Sequence, residues 1–560
     1  MIVPTLLCDY YKTIHKDYYP DGLTKVWAYF TPRQSRLPHI KGVVPFGVQG
    51  MIKEYLIDIF NFEFFNPSWE DISFNMNYYL KNTLDEFYDL SEFQKLHELG
   101  YLPVEIRLLV PEGKICPIGC PMLEITNTHE DFPWVVNFLE TLMSTCLWHP
   151  TTSATIAYRY REIVEEYAEK QGANKLTIPM LIGDFSMRGQ TSIESAKRSS
   201  AAFLTSFYKT SCIPAIEYLH ECYDADCREE VVGLGGISTE HSIMCLLGQD
   251  EKKAIQSILD NTRNGKTISI VSDTWDYWNM LTNIYPEFME TLKDRDIRIN
   301  IRPDSGDPVK IISGYKNIFE VEESSDKINW YIKNDTHITR DKLNFKDDEV
   351  IFDECNLWEE CIKTSDGKYY EFNDSYWFYD YLEGFYFKEI TEAEALGSIE
   401  YLFNIIGGKI NNRGYKFLPN HFRFIYGDSI TLERAKEIYE RLHTKRFSIE
   451  NVVLCAGSYS LQYVTRDTFG FAQKITAAII NDVFTPVFKD PKTSDSTKKK
   501  SHKGLIRVWF EKGSYKWEDN QDTDFNVDKI IFKDGHLLKQ TSLKDIRLNI
   551  EESLNLGKSL

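Results

Sequence analysis

Five short apolar runs, each stopped by a polar or glycine-bearing cluster, constrain this chain more than any other feature. Leu176–Ile182, Ile268–Ser272, Ile297–Ile301, Phe422–Tyr426 and Asn451–Cys455 have the length and apolar character of strands buried on both faces of a parallel sheet. Amphipathic stretches such as Leu432–Leu442 stand between them, the alternation that builds an α/β core. The clusters at their ends are Asp184-Phe185 with Arg188, Ser272-Asp273, Arg302-Pro303-Asp304-Ser305-Gly306, Gly427-Asp428-Ser429 and Gly457-Ser458. In α/β barrels the carboxyl ends of the strands form the active face. Any one cluster reads equally well as turn or helix-cap chemistry, because Asp, Ser and Gly are ordinary there. Five of them, one per strand, read as a site.

The expected fold class is therefore α/β: an irregular α/β barrel plus an α+β sheet layer formed by the N- and C-terminal segments. Residues 1–150 mix strands such as Lys25–Phe30 and Val104–Val110 with helices over Phe46–Phe60 and Val135–Leu147, giving the N-terminal layer. A long helix from Thr151 to Glu169 opens the first part of the barrel, residues 151–313. Residues 314–413 break the alternation and form an acidic insertion whose aromatics, such as Tyr376-Trp377-Phe378-Tyr379, predict that it folds. The barrel resumes over 414–485. Residues 486–560 bring a Lys-rich loop, Thr493–Lys503, and a segment from Leu505 that returns to the N-terminal layer.

Composition excludes several classes of function. Hydrophobic residues make up 42% of the 560 and aromatics 14%, enough burial to offset chain entropy. Lys and Arg number 64 against 84 Asp and Glu, and the resulting charge of −20 repels phosphate backbones, so nucleic acid is not an expected partner. Met1–Leu7 lacks the basic start of a signal peptide, and no apolar run reaches the roughly 18 residues of a membrane span. A soluble, cytoplasmic protein without membrane contact is expected. The eleven cysteines form no CxxC pair; Cys116 and Cys120 lack the second pair that a zinc site needs, and buried free thiols are the plain reading.

The segment Arg302 to Pro308 puts a guanidinium, a carboxylate and exposed backbone amides within one turn, a set suited to a phosphorylated sugar. Gly427-Asp428 adds a second carboxylate on a tight turn, and Gly457-Ser458 a phosphate nest. The segment Arg302 to Pro308, with Asp9-Tyr10-Tyr11-Lys12, Phe46-Gly47-Val48-Gln49, Gly100-Tyr101-Leu102-Pro103, Asp184-Phe185 and Arg188-Gly189, Glu240-His241-Ser242, Val271-Ser272-Asp273, Thr465-Arg466-Asp467 and Val487-Phe488-Lys489-Asp490-Pro491, makes the chain resemble the nicotinamide phosphoribosyltransferase family over nearly its whole length apart from the insertion.

The resemblance implies a homodimer with active sites shared between subunits, in which Phe185 and the partner's Tyr11 sandwich a pyridine ring beside Arg188. It implies that His241 is the histidine phosphorylated by ATP, with Glu240 orienting it. Arg302, Asp304, Gly427 and Asp428 match residues that bind the ribose and phosphates of the donor, and Asp276 an acidic position near the pyrophosphate. Arg466, Lys474, Lys489 and Lys499 match cations of the phosphate and nucleotide channel; the plain alternative for each lysine is a solvated charge. Mg2+ accompanies the pyrophosphate-bearing donor, and ATP is an optional coupled substrate. The implied reaction joins nicotinamide to phosphoribosyl pyrophosphate, giving nicotinamide mononucleotide in NAD salvage.

Two departures keep the substrates open. Ser211 stands where nicotinamide-selective members carry Asp and nicotinate enzymes carry Ser, and a hydroxyl serves either acceptor. Cys455-Ala456-Gly457-Ser458-Tyr459-Ser460 replaces the run of glycines that grips a terminal 5′-phosphate, which admits ADP-ribose pyrophosphate as a larger donor and NAD as the product. A catalytically silent binding protein on the same scaffold is a third reading. The retained Arg302, Asp304, His241 and Asp428 oppose it.

Overall fold

The computed structural model describes residues 3–334, 343–346, 360–373, 386–489 and 502–557. The fold is mixed α/β with a curled parallel half-barrel sheet. By contacts the chain divides into two units. The first takes Met1–Arg161, Asp184–Leu234 and Ser458–Leu560; the second takes Glu162–Gly183 and Gly235–Gly457.

The second unit holds four parallel strands, in the order Val452–Ala456, Phe422–Tyr426, Arg298–Arg302 and Thr267–Val271, preceded in the sheet by Ile182–Asp184, whose last residue belongs to the first unit. Ile270 pairs with Ile301, Ile301 with Phe424 and Phe424 with Val452, so one apolar row crosses four strands. The helix Leu432–Thr444 starts at Thr431, whose hydroxyl accepts from the Arg434 N–H, and buries Ala435, Ile438, Tyr439 and Leu442 at helical spacing. One expected strand is shorter than its apolar run: Ile178–Met180 turns as a 3-10 helix and extended structure begins only at Ile182. Pro179 explains this, because it has no N–H to give a ladder.

The stretch after Gly314 folds within the second unit. Asn317–Glu320, Glu360–Lys363, Tyr369–Asn373 and Tyr386–Ile390 form a four-stranded sheet over a core of Val321, Ile328, Ile362, Tyr370, Phe372 and Phe387. The cluster Tyr376–Tyr379 lies outside the described residues.

The first unit is built on a seven-stranded antiparallel sheet, in the order Val483–Pro486, Ala472–Ile480, Leu23–Thr31, Leu123–Asn127, Val104–Leu108, Ile530–Lys533 and His536–Leu537. Strands from both chain ends interleave, since Lys25 pairs with Ile479 and Glu105 with Lys533. The helix expected over Thr151–Glu169 starts at Glu140 and runs to Gln171 as one 32-residue helix with Pro150 inside it, its residues from Glu162 on belonging to the second unit. Val135–Phe138 of the other expected helix lie in a separate short helix, Trp134–Phe138. Fully buried Glu112 accepts from the Val48 N–H at 2.9 Å and from the Tyr223 hydroxyl at 3.0 Å, and desolvation pushes its pKa up to about 7. Cys116 and Cys120 are buried thiols, the first donating to the carbonyl of the second at 3.3 Å.

Candidate active site

In the second unit a carboxylate one residue beyond Ser272 organises the strand ends. The Asp273 side chain is 5% exposed and accepts three hydrogen bonds. His241 Nε2 lies 3.2 Å from Oδ1, while the Asp304 N–H and the Ser305 hydroxyl reach Oδ2 at 3.1 and 2.6 Å. Asp273 thereby ties His241 to the turn after the neighbouring strand. The partner expected for the imidazole was Glu240. Glu240 is instead exposed and caps the helix His241–Leu247 through its carbonyl, which accepts from Ile243 and Met244. The sequence showed Asp273 as a strand end but gave no chemical mark separating it from Asp276 three residues on. Asp276 is the exposed one, and its carboxylate caps the next turn by accepting from the Asn279 N–H at 2.9 Å.

Arg302 ends its strand, and Asp304 lies across the turn from it. Arg302 Nη2 sits 3.1 and 2.9 Å from the two oxygens of Asp304, with Nε 3.3 Å from the first. Two residues expected to contact a donor separately are thus one forked ion pair. Gly306 closes the turn at φ +86°, a conformation that disfavours a side chain. The Tyr426 hydroxyl, at the end of the next strand, is bonded to the carbonyls of Ser305 and Gly306 at 2.9 and 3.1 Å and braces the turn from below. Asp428, just beyond it, is exposed and accepts from the Ser429 hydroxyl at 2.9 Å. Gly457 faces the Gly427 carbonyl, 3.9 Å from where a Cβ would stand.

The residues expected beside a pyridine ring are in the first unit. Asp184 is buried and clips the loop that follows: Oδ1 accepts from Ser186 N–H and Oγ at 2.9 and 2.6 Å, Oδ2 accepts from the Thr210 hydroxyl at 2.9 Å, and its carbonyl accepts from the Ser211 N–H at 2.9 Å. Phe185 and Ser211 are held together by this one carboxylate and its backbone. Arg188 and Ser211 are exposed, Phe185 half-buried. Ser458 packs on the same loop, its Oγ lying 2.2 Å from the position a Cβ on Gly189 would take, so only glycine fits there. Tyr459 projects outward and stacks on Tyr463, ring centres 5.1 Å apart.

Tyr11 is exposed and donates to Asp9 Oδ2, a bond that raises its pKa, and the Thr141 hydroxyl donates to the same oxygen at 2.7 Å. Glu140 joins two cations: buried Lys12 at 2.5 Å and Lys474 at 3.1 Å. Arg466 lies 3.5 Å from Asp467, and Lys489 is exposed. Lys499 and residues 490–501 of the Lys-rich loop lie outside the described residues. Among the described residues no group of three or more His, Cys, Asp or Glu is placed to hold a metal ion, and no helix is long and apolar enough to cross a membrane.

The model of the nicotinate phosphoribosyltransferase family matches residues 180–356 and 392–533, more than half of the chain, and that of the nicotinamide phosphoribosyltransferase N-terminal domain matches residues 4–106. The chain is 32% identical over 573 aligned residues to nicotinamide phosphoribosyltransferase of Acinetobacter baylyi, covering 100% of this chain and 99% of that one. Two solved structures share its fold at a TM-score of 0.51 and 13% identity. They are nicotinate-nucleotide pyrophosphorylase from Pyrococcus furiosus, covering 99% of this chain and 96% of that one, and human nicotinic acid phosphoribosyltransferase, covering 98% and 94%. By its match to those family models and its full-length identity to the Acinetobacter protein, this chain belongs to the nicotinamide phosphoribosyltransferase family.

Proposed function

We propose that the protein is a pentosyltransferase that joins nicotinamide to the anomeric carbon of phosphoribosyl pyrophosphate, releasing pyrophosphate and giving nicotinamide mononucleotide for NAD salvage. The observation that carries this reading is the strand-end cluster of Asp273, His241 and the Arg302–Asp304 fork, in a chain that matches the family from end to end. The pyridine nitrogen forms a bond to the ribose carbon as the bond to the pyrophosphate oxygen breaks, and the electron pair leaves with pyrophosphate. Positive charge grows on the ribose and negative charge on the leaving group. Arg302 exchanges Asp304 for donor phosphate oxygens, which releases the Asp304 carboxylate to the ribose hydroxyls and the developing cation. Magnesium enters with the donor, as part of that substrate, and needs at most one or two protein carboxylates.

Because Asp273 accepts from Nε2 of His241, the lone pair of the neutral ring is on Nδ1. That nitrogen would attack the γ-phosphorus of ATP, displacing ADP, while Nε2 keeps its proton. The exposed aromatics Phe62, Phe74, Tyr78 and Tyr79 support a second copy of the chain as the cover of the segment that carries them. The family matches favour the phosphoribosyl donor over ADP-ribose pyrophosphate, and the packing of Ser458 on Gly189 gives that departure a local reason. The test is to incubate purified protein with labelled nicotinamide and each donor, in the presence of Mg2+, and to resolve products by mass. Nicotinamide mononucleotide from phosphoribosyl pyrophosphate is expected; NAD from the larger donor alone would overturn the assignment.

A further inference from the structure

The first unit contains a run of polar side chains that the chemistry above does not use. His149, 6% exposed in the helix Glu140–Gln171, has Nε2 2.8 Å from the carbonyl oxygen of Leu461. A carbonyl only accepts, so Nε2 carries the proton and Nδ1 of the neutral ring is bare. Ser195 Oγ lies 3.2 Å from Nδ1 and 3.3 Å from Gln190 Oε1, two acceptors that share its single proton. Gln190 Nε2 donates to Ser186 Oγ at 3.1 Å, and Ser186 Oγ donates to Asp184 Oδ1 at 2.6 Å. The run therefore starts in the helix Ser458–Gln462 and ends on the carboxylate that clips Phe185 and Ser211. Two further contacts join the same helix to its surroundings: Ser458 fills the space beside Gly189, and Ser460 Oγ lies 3.0 Å from the hydroxyl of buried Tyr160.

We propose that His149 is a positioning residue that couples the helix Ser458–Gln462 to the loop bearing Phe185 and Arg188, and through Asp184 to Ser211, so that a ribose phosphate held at the first tightens the hold of the second on a pyridine. The inference rests on the functional reading above and on the family resemblance, which implies the donor's 5′-phosphate at the loop Cys455–Ser460 and the pyridine at Phe185. Its physical basis is that displacing the helix alone stretches the hydrogen bond at Leu461 or the contact at Gly189. Displacing helix and loop together keeps both, and an unmade buried hydrogen bond is costly. Two sites biasing one such element are coupled reciprocally.

The experiment is a titration with nicotinamide, alone and with saturating ribose 5-phosphate, which carries the terminal phosphate but no leaving group. In the native protein ribose 5-phosphate should tighten nicotinamide about 5-fold or more. Ser195→Ala and His149→Phe should bring that ratio close to one while leaving affinity for nicotinamide alone nearly unchanged, and Ser195→Thr, which keeps the hydroxyl, should restore it. A purely structural role would lower affinity or stability without touching the ratio. An unaltered ratio in Ser195→Ala and His149→Phe, or a native ratio of one, overturns the coupling and leaves the functional reading standing. Failure of the native protein to bind nicotinamide at all overturns both. Should His149→Phe not fold, Ser195→Ala decides alone.

Discussion

Replacing Asp273 with Asn tests the centre of the proposed site, because the substitution keeps shape and removes charge. The native carboxylate accepts three hydrogen bonds from His241, Asp304 and Ser305. An asparagine has one acceptor oxygen. If it continues to accept from Asp304 and Ser305, its amide nitrogen faces His241 Nε2, and two donors meet unless the imidazole gives up that proton. The ring then takes the other tautomer, with Nε2 accepting and Nδ1 protonated. Hydrogen bonds to a charged group are worth about 1.5–3 kcal/mol each, and at 5% exposure solvent screens little of this. Turning three charge-assisted bonds into neutral ones costs about 1 kcal/mol each, about 3 kcal/mol in all at the reacting geometry, a fall of roughly 10²-fold in kcat/KM. Phosphate labelling at His241 by ATP should also disappear, because the attacking lone pair is gone. Initial rates with mass-resolved product, on protein whose thermal melt matches the native one, provide the measurement. A variant within about ten-fold of native kcat/KM that still takes label would refute the reasoning.

Three further outcomes are expected. Phe185→Ala should weaken nicotinamide binding by about 1–3 kcal/mol in a calorimetric titration if stacking here resembles that on nucleobases. Ser211→Asp should favour nicotinamide over nicotinate by about ten-fold or more in kcat/KM, since a carboxylate accepts from an amide and repels another carboxylate; equal efficiencies would remove Ser211 from the acceptor pocket. Glu112 has a folded pKa of about 7 against an ordinary value near 4.5, a raised acid. Its contribution is complete below about pH 4.5 and is lost as pH rises through about 7, some 3 kcal/mol in all. Urea unfolding of the native protein should show that decline between pH 5 and 8, and Glu112→Gln should flatten it.

What the sequence revealed about the fold follows from locality. Phe422–Tyr426 is the strand that its apolar run predicts, and the strands Thr267–Val271, Arg298–Arg302 and Val452–Ala456 lie one residue from their expected bounds. Each is a continuous apolar run between turn residues, a signal that needs no partner. Two expected bounds differ further from the structure. Pro179 shortens a run that hydropathy alone would extend, and the helix expected to begin at Thr151 begins at Glu140 and carries Pro150 inside it. The site was legible as a set of strand ends but not as a set of contacts. That Arg302 turns back on Asp304, that His241 pairs with Asp273 rather than its neighbour Glu240, and that Ser458 needs a bare Gly189 all depend on side-chain direction and on pairs far apart in the chain. One sequence carries no trace of these.

The pairing of Lys25 with Ile479 and of Glu105 with Lys533 has a consequence for how the protein is made. Strands near the start must wait for partners about 450 residues later, and at synthesis rates of roughly 5–20 residues per second that interval is on the order of half a minute to a minute and a half. Through that interval the emerging strand Leu23–Thr31, with its row of Val26, Trp27, Tyr29 and Phe30, has an open edge. An unpaired apolar edge is a template for another chain. The nascent protein is thus most exposed to aggregation before its last hundred residues exist, and its yield in a cell should depend more on chaperone supply during translation than on the stability of the finished fold.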